Sequence, residues 1–324
     1  MMRFIPLFCL GFLLSSSPFC AETASPFFIG AIRSDGVLIP FALYDSGKWS
    51  SPWPSYFNPD FPSSPSKILN DSTITTLSKI PTSWSGSQKT IPTRWWKLGT
   101  KGDSLFTVSK PVIIPSYCVK LWALLLSGRK PPLNTHAYVP FNSIAASARL
   151  PLSQIISIRP DSPEWKELLL LVESMVKKKE AGKGSTFSEK EKVVIKMNIS
   201  IIRNELPFHD EYYYYYEVEK LSHILESDKR YRCKTLNGEG WIRKNQTGEL
   251  AVMKKENYGT SEFFIPDINN YIFHNNDIPW GMLVLQNKMY WIIDRPGYES
   301  ESCVIYQVDQ MGITKVIDFY LGGC

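Results

Sequence analysis

The chain has 324 residues, is 44% hydrophobic and 13% aromatic, and carries a formal net charge of +5 at pH 7. That apolar content suffices for a large core in one or two domains and excludes a disordered chain. The charge is too mild to mark a nucleic-acid binder. The longest basic run, Lys177-Lys178-Lys179, falls at the end of a predicted helix, where cations meet the negative end of the helix dipole.

At the start, Met1-Met2-Arg3 supplies a positive charge and Phe4 to Leu14 an apolar run that Ser15-Ser16-Ser17-Pro18 breaks. A membrane span needs about 20 apolar residues, so residues 1–21 read as a cleaved secretory signal with the cut after Ala21. Pro115 and Lys120 interrupt the later apolar stretch, and no membrane span is expected in the mature chain. Cleavage leaves Cys118, Cys233, Cys303 and Cys324. An even number in an exported chain points to disulfides, with three connectivities open.

Strand patterning then dominates. Phe27 to Tyr44 reads as a hairpin around Asp35-Gly36, with Ile32 opposite Ile39. Residues 51–93 form a Pro/Ser-rich excursion with one short strand near Ser72 to Ser78. Trp95 to Leu98, Ser104 to Ile114, Tyr117 to Leu126, His136 to Ala146 and Gln154 to Ile158 follow as strands. Ser162 caps a helix in which Pro163 takes the first turn and Trp165, Leu168, Leu169, Val172, Met175 and Val176 recur at helical spacing.

A linker follows, with a capping box at Ser188 and Glu191. Strands resume at Val193 to Arg203, Glu211 to Val218 and Gly240 to Lys255, and a meander closes the chain, with expected turns at Asn287-Lys288, Pro296-Gly297 and Gln310-Met311. The last turn sets Cys303 opposite Asp318, leaving Cys324 roughly 20 Å away, beyond the reach of a cystine. Each should therefore bond to Cys118 or Cys233.

The expected fold is mainly β, with antiparallel sheets in a sandwich or irregular barrel and one substantial helix near 162–181. A β-rich first half (22–160), a helix and linker (161–184) and a second half (185–324) are expected, either as two units divided at the linker or, where long-range cystines staple the halves, as one continuous domain.

The chemistry-bearing residues are sparse. His136, His209, His223 and His274 lack metal-binding spacing, there is no G-x-S-x-G or Gly-rich phosphate loop, and no cofactor, metal or catalytic residue is expected. His209-Asp210-Glu211 could act as an acid or base, although an exposed turn ahead of a strand is the simpler reading. Aromatics are the strongest functional signal. Trp49, Trp53, Trp95 and Trp96 lie in or beside the excursion, and rings that face water beside polar groups bind sugars or peptides. The run Tyr212 to Tyr216 should alternate between two faces of a strand, at least one of them core.

The leading expectation is thus a secreted or periplasmic, non-catalytic binding or envelope-associated protein that uses these tryptophans to contact a glycan or an extracellular or envelope protein. An exported carboxylate-dependent hydrolase and a structural interaction protein are the alternatives.

Overall fold

Period-two alternation over most of the chain does build antiparallel sheets. The computed structural model describes residues 26–52, 75–76, 92–99, 104–116, 119–128, 139–183, 194–226, 229–253, 257–270, 277–297, 300–310 and 312–323. The signal segment, Trp53, Cys118, Cys324, His136, His274, the Ser188–Glu191 capping box and most of the 51–93 excursion lie outside these residues.

The first sheet holds β1 (Phe27–Arg33), β2 (Val37–Asp45), β3 (Lys48–Ser50), β4 (Thr75–Thr76), β5 (Arg94–Leu98), β6 (Leu105–Ser116), β7 (Val119–Leu126) and β8 (Phe141–Ala146). Pairings run β1-β8-β5-β6-β7-β2, and β1 also pairs with β2, so six strands form a closed ring. Every residue of β1 is buried, on both faces.

The expected hairpin between β1 and β2 is present with a shifted register: Ile32 faces Leu38, and the Gly36 N–H donates to the Arg33 carbonyl. The loop holds three residues rather than two. Gly36 alone adopts positive φ (87°), whereas a two-residue turn of this kind needs two such residues. The Arg33–Asp35 ion pair fixes Asp35 in the three-residue form.

The second sheet contains β9 (Ile155–Ser157), β10 (Val194–Asn204), β11 (Tyr212–Leu225), β12 (Tyr231–Lys244), β13 (Leu250–Val252) and β14 (Asn257–Ile265). The third is a four-stranded meander of β15 (Ile278–Leu285), β16 (Lys288–Gly297), β17 (Ser300–Asp309) and β18 (Gly312–Gly323). Helix α1 (Pro163–Lys183) is capped as expected, the Trp165 N–H donating to Ser162 Oγ at 3.1 Å. Among the described residues no helix is long and apolar enough to cross a membrane.

The layers stack through alternating side chains. One face of the meander (Leu283, Tyr290, Ile292, Cys303, Ile305) joins Phe27, Ile29, Ile39 and Phe41 of the first sheet in one core. Its other face (Met289, Trp291, Val304, Tyr306) packs on Tyr213, Tyr215 and Trp241 of the second sheet. That sheet's far face (Tyr214, Tyr216, Val218) packs on Trp165, Leu168, Val172 and Val176 of α1. The tyrosine run is therefore core on both faces. Residues from both halves of the chain share the first of these cores.

Two turns of the meander also differ from expectation by small shifts. The β15–β16 turn is Gln286-Asn287, both at positive φ, one residue earlier than expected. The β16–β17 pairing runs on to Gly297 opposite Ser300, so the chain turns beyond Pro296-Gly297. The β17–β18 turn lies where expected, with Asp309 opposite Gly312, but a bulge at Ile305/Tyr306 places Cys303 opposite Phe319 rather than Asp318.

Candidate functional site

The strand β10 ends in a two-residue turn whose cause is local. Phe208 and Glu211 exchange both backbone hydrogen bonds, at 2.9 and 3.1 Å, and His209 and Asp210 between them adopt φ of 52° and 60°. This tight turn has the hand that suits the twist of the flanking strands, and Asp tolerates such φ better than most residues. The buried Asn204 amide braces the turn, donating to the Leu206 carbonyl at 2.6 Å and accepting from the Tyr213 N–H at 2.8 Å.

Three more hairpin tips reach the same end of the second and third sheets. They are the 245–249 turn, held by the Asn245 carboxamide oxygen, the Gln286-Asn287 turn, and the 309–312 turn, where the Gly312 N–H donates to Asp309 at 3.1 Å. Together the four enclose a cleft of about 500 Å3 lined by Phe208, His209, Tyr213, Gln246, Asn287, Lys288, Asp309 and Gln310. Its lining combines amide, amine, imidazole and carboxylate groups with the aromatic side chains of Phe208 and Tyr213. The volume lies in the usual range of ligand sites, about 300–1,000 Å3.

The trio His209-Asp210-Glu211 is not assembled as an acid–base unit. His209 lines this cleft, Asp210 lines its neighbour on the other side of the turn, and Glu211 is buried, where it accepts the Tyr213 hydroxyl at 2.8 Å.

A second polar group lies between the second and third sheets. Glu217 and Glu239 stand directly opposite each other on β11 and β12, an unfavourable pairing of like charges. Arg295 of β16 enters from the facing sheet, ion-paired to Glu239 and to Asp277, whose Oδ2 lies 2.9 Å from its Nε. Arg295 also donates to the Tyr215 hydroxyl at 2.9 Å, and that hydroxyl lies 2.8 Å from both Glu239 Oε2 and Asp277 Oδ2. Three carboxylates against one guanidinium leave an acidic excess. Burial, reinforced by the Asp277 charge, raises the Glu217 carboxyl to about 8, so it holds its proton at neutral pH. Asp277 is also raised by burial, against the opposing pull of Arg295.

On the opposite face of the meander, Asp294 hydrogen-bonds Glu301, both only 2% exposed. Burial and the Asp277 charge bring Asp294 to about 7.

The tryptophans expected to contact ligand are placed otherwise. Trp95 is fully buried with Phe28, Leu38 and Leu124, and its indole N–H donates to the Pro92 carbonyl at 2.8 Å. Trp49 is half-buried, its ring centroid 4.9 Å from that of Tyr44 and 5.5 Å from that of Tyr290. Trp96 is half-buried on β5, and none of the three lines the loop-end cleft. Aromatics are favoured in strands for packing, and in Trp49 and Trp95 packing has claimed them.

The cystines expected at Cys233 and Cys303 are not found: both are buried free thiols. They occupy different clusters, Cys233 beside Leu221 and Ile268 and Cys303 in the core shared by the first and third sheets. Burial raises both thiols, and the nearby Asp294 and Glu301 add to the effect at Cys303. Among the described residues no cluster of His, Cys, Asp and Glu could hold a metal ion. No protein-family model, curated protein or solved structure matches this chain.

Proposed function

We propose that the protein is an exported, non-catalytic binding protein that holds a neutral, hydroxyl-rich ligand, a glycan, in the cleft at the loop end of its second and third sheets. The observation that carries this reading is the convergence of four hairpin tips on one cleft lined by amides, a carboxylate and the side chains of Phe208 and Tyr213. Amides and carboxylates bond sugar hydroxyls, apolar ring surface covers sugar C–H faces, and loops on a rigid sheet scaffold are common carriers of recognition. The basic start and short apolar run of residues 1–21 support export. The test is saturation-transfer NMR against a panel of neutral oligosaccharides, with Gln246→Ala and Lys288→Ala as variants. Binding that both variants weaken at unchanged melting temperature is expected. Absence of binding across the panel, or binding indifferent to both changes, refutes the reading.

An exported hydrolase is the second reading, favoured by one observation. Glu239 and Asp277 share the Tyr215 hydroxyl, each 2.8 Å from it, so the two bonded oxygens are at most twice that apart, comparable with the roughly 5 Å between the paired carboxyls of retaining glycosidases, while Glu217 beside them retains a proton at neutral pH. Release of reducing ends from an oligosaccharide, abolished by Glu217→Gln, would select it. A wild-type protein that binds without turnover excludes it.

A further inference from the structure

The tip of the β10–β11 hairpin divides two clefts. On one side of it lies the cleft described above. On the other lies a cleft of about 410 Å3 whose lining includes Asp210, Tyr212, Lys244, Asn245, Gln246 and Glu167. Gln246 lines both. The turn's two residues are shared out, His209 to the first cleft and Asp210 to the second, and the tyrosine run is divided likewise, Tyr213 to the first and Tyr212 and Tyr214 to the second.

Each cleft thus presents the same kit. The first has the Asp309 carboxylate, the Gln246 amide and the Phe208 ring. The second has the Asp210 carboxylate, the same Gln246 amide and the Tyr212 ring, over which the Arg203 guanidinium lies 4.5 Å from the centroid. The other two acids of the second cleft are already engaged, Glu167 with Lys244 at 2.8 Å and Glu164 with Arg203 at 3.0 Å. Asp210 stands at the exposed tip of the turn.

Two adjoining clefts with matching chemistry and a shared bridging amide fit a ligand that repeats. Resting on the glycan reading above, we propose that the two clefts are consecutive subsites for a linear neutral oligosaccharide, one sugar unit in each, with Gln246 contacting both units and Asp210 accepting hydroxyls of the second. A single sugar fills only one subsite. A dimer gains the second without a second loss of translational freedom, so affinity rises with length up to two units and then levels.

The experiment is a calorimetric titration of the full chain with homo-oligosaccharides of glucose, mannose, galactose and N-acetylglucosamine, each at one to four units. At least one series should show a tenfold or greater gain from one unit to two and less than threefold beyond. Asp210→Asn is the diagnostic variant, because Asn also tolerates the positive φ of this position and keeps the turn. It should bring the dimer down to about the monomer's affinity, a tenfold or greater loss, and lower the monomer's affinity far less because the first subsite stays intact, while Gln246→Ala weakens both. Binding without a step from one unit to two, or a step that survives Asp210→Asn, overturns the two-subsite inference alone. Absence of binding at every length overturns the glycan reading beneath it.

Discussion

Replacing Glu217 by Gln should remove a pH dependence from the stability of the protein. Glu217 sits opposite Glu239, near Asp277, Tyr215 and the Arg295 guanidinium, and its carboxyl is raised to about 8 against an ordinary value of 4.5. The folded state thus holds a proton that the unfolded chain releases, so the contribution of this group to stability is complete below about pH 4.5 and declines as pH rises towards 8. One proton is worth at most about 1.4 kcal/mol per pH unit.

Because the Glu217 side chain keeps some contact with solvent, about half of that slope is the reasonable expectation, on the order of 2 kcal/mol between pH 5 and 8. A neutral Gln preserves shape and hydrogen bonding without the titration. Urea unfolding followed by tryptophan fluorescence at pH 5, 6, 7 and 8 would measure the effect for both proteins. The difference in unfolding free energy between variant and wild type should grow in the variant's favour as pH rises. A difference that is constant with pH, or that shrinks, refutes the assignment of a retained proton to Glu217.

Other consequences follow from packing. A Cβ on Gly240 would lie 2.4 Å from the Tyr216 hydroxyl and one on Gly238 2.2 Å from the Tyr258 ring, so Gly240→Ala and Gly238→Ala should each destabilise by about 1–3 kcal/mol in urea titrations. Trp95→Ala empties a fully buried site and should cost about 3–5 kcal/mol, whereas Trp96→Ala, on the half-exposed side of the same strand, should cost about 1 kcal/mol or less. Cys233 and Cys303 should resist alkylation in the native protein and react as free thiols once unfolded without reductant, and recovery of either in a cystine peptide by mass mapping would contradict the structure.

Local rules carried most of the fold. The capped helix at Ser162, the parity of Tyr212 to Tyr216 and the 310–311 turn all follow from short-range patterning, and the structure has them. Two departures are local, the three-residue β1–β2 loop set by the Arg33–Asp35 ion pair and the Gln286-Asn287 turn; the others depend on partners distant in sequence. The bulge at Ile305/Tyr306 shifts Cys303 by one position, and nothing in the sequence around it announces a bulge. Residues 231–239 (YRCKTLNGE) lack a clean apolar alternation, yet they form the first part of β12 because strands pair on both sides of it.

The tryptophans illustrate the same limit. Composition shows that Trp95 is aromatic and in a strand, but only the closing of the first sheet decides that it is enclosed. At the candidate site the His209-Asp210 turn was legible, whereas Gln246, Asn287 and Asp309 come from separate hairpins and meet it only through sheet packing. The cluster around Arg295 is likewise drawn from distant segments, Arg295 and the Tyr215 hydroxyl it bonds lying 80 residues apart and Glu217 and Asp277 60 residues apart.

The polar cluster and the cleft are linked along two strands, β11 and β16, the latter carrying Lys288 at the cleft and Arg295 in the cluster. Trp241, Trp291, Tyr306 and Tyr215 form a largely apolar contact between the two sheets, the Trp241 and Trp291 rings 4.8 Å apart. Apolar surfaces of this kind are not directional and by themselves set no register. The bonds of Arg295 to Glu239, Asp277 and the Tyr215 hydroxyl are directional, and they do. Tyr213, two residues along β11 on the same face, lines the cleft, so the register fixed at Tyr215 also sets how the tips of the second sheet meet those of the third. A hydrophobic replacement of the cluster could match its stability, as buried ion pairs often add little net free energy. It would not by that fact hold the four hairpin tips in place, and this is a physical reason for keeping three acids and one arginine in a costly setting.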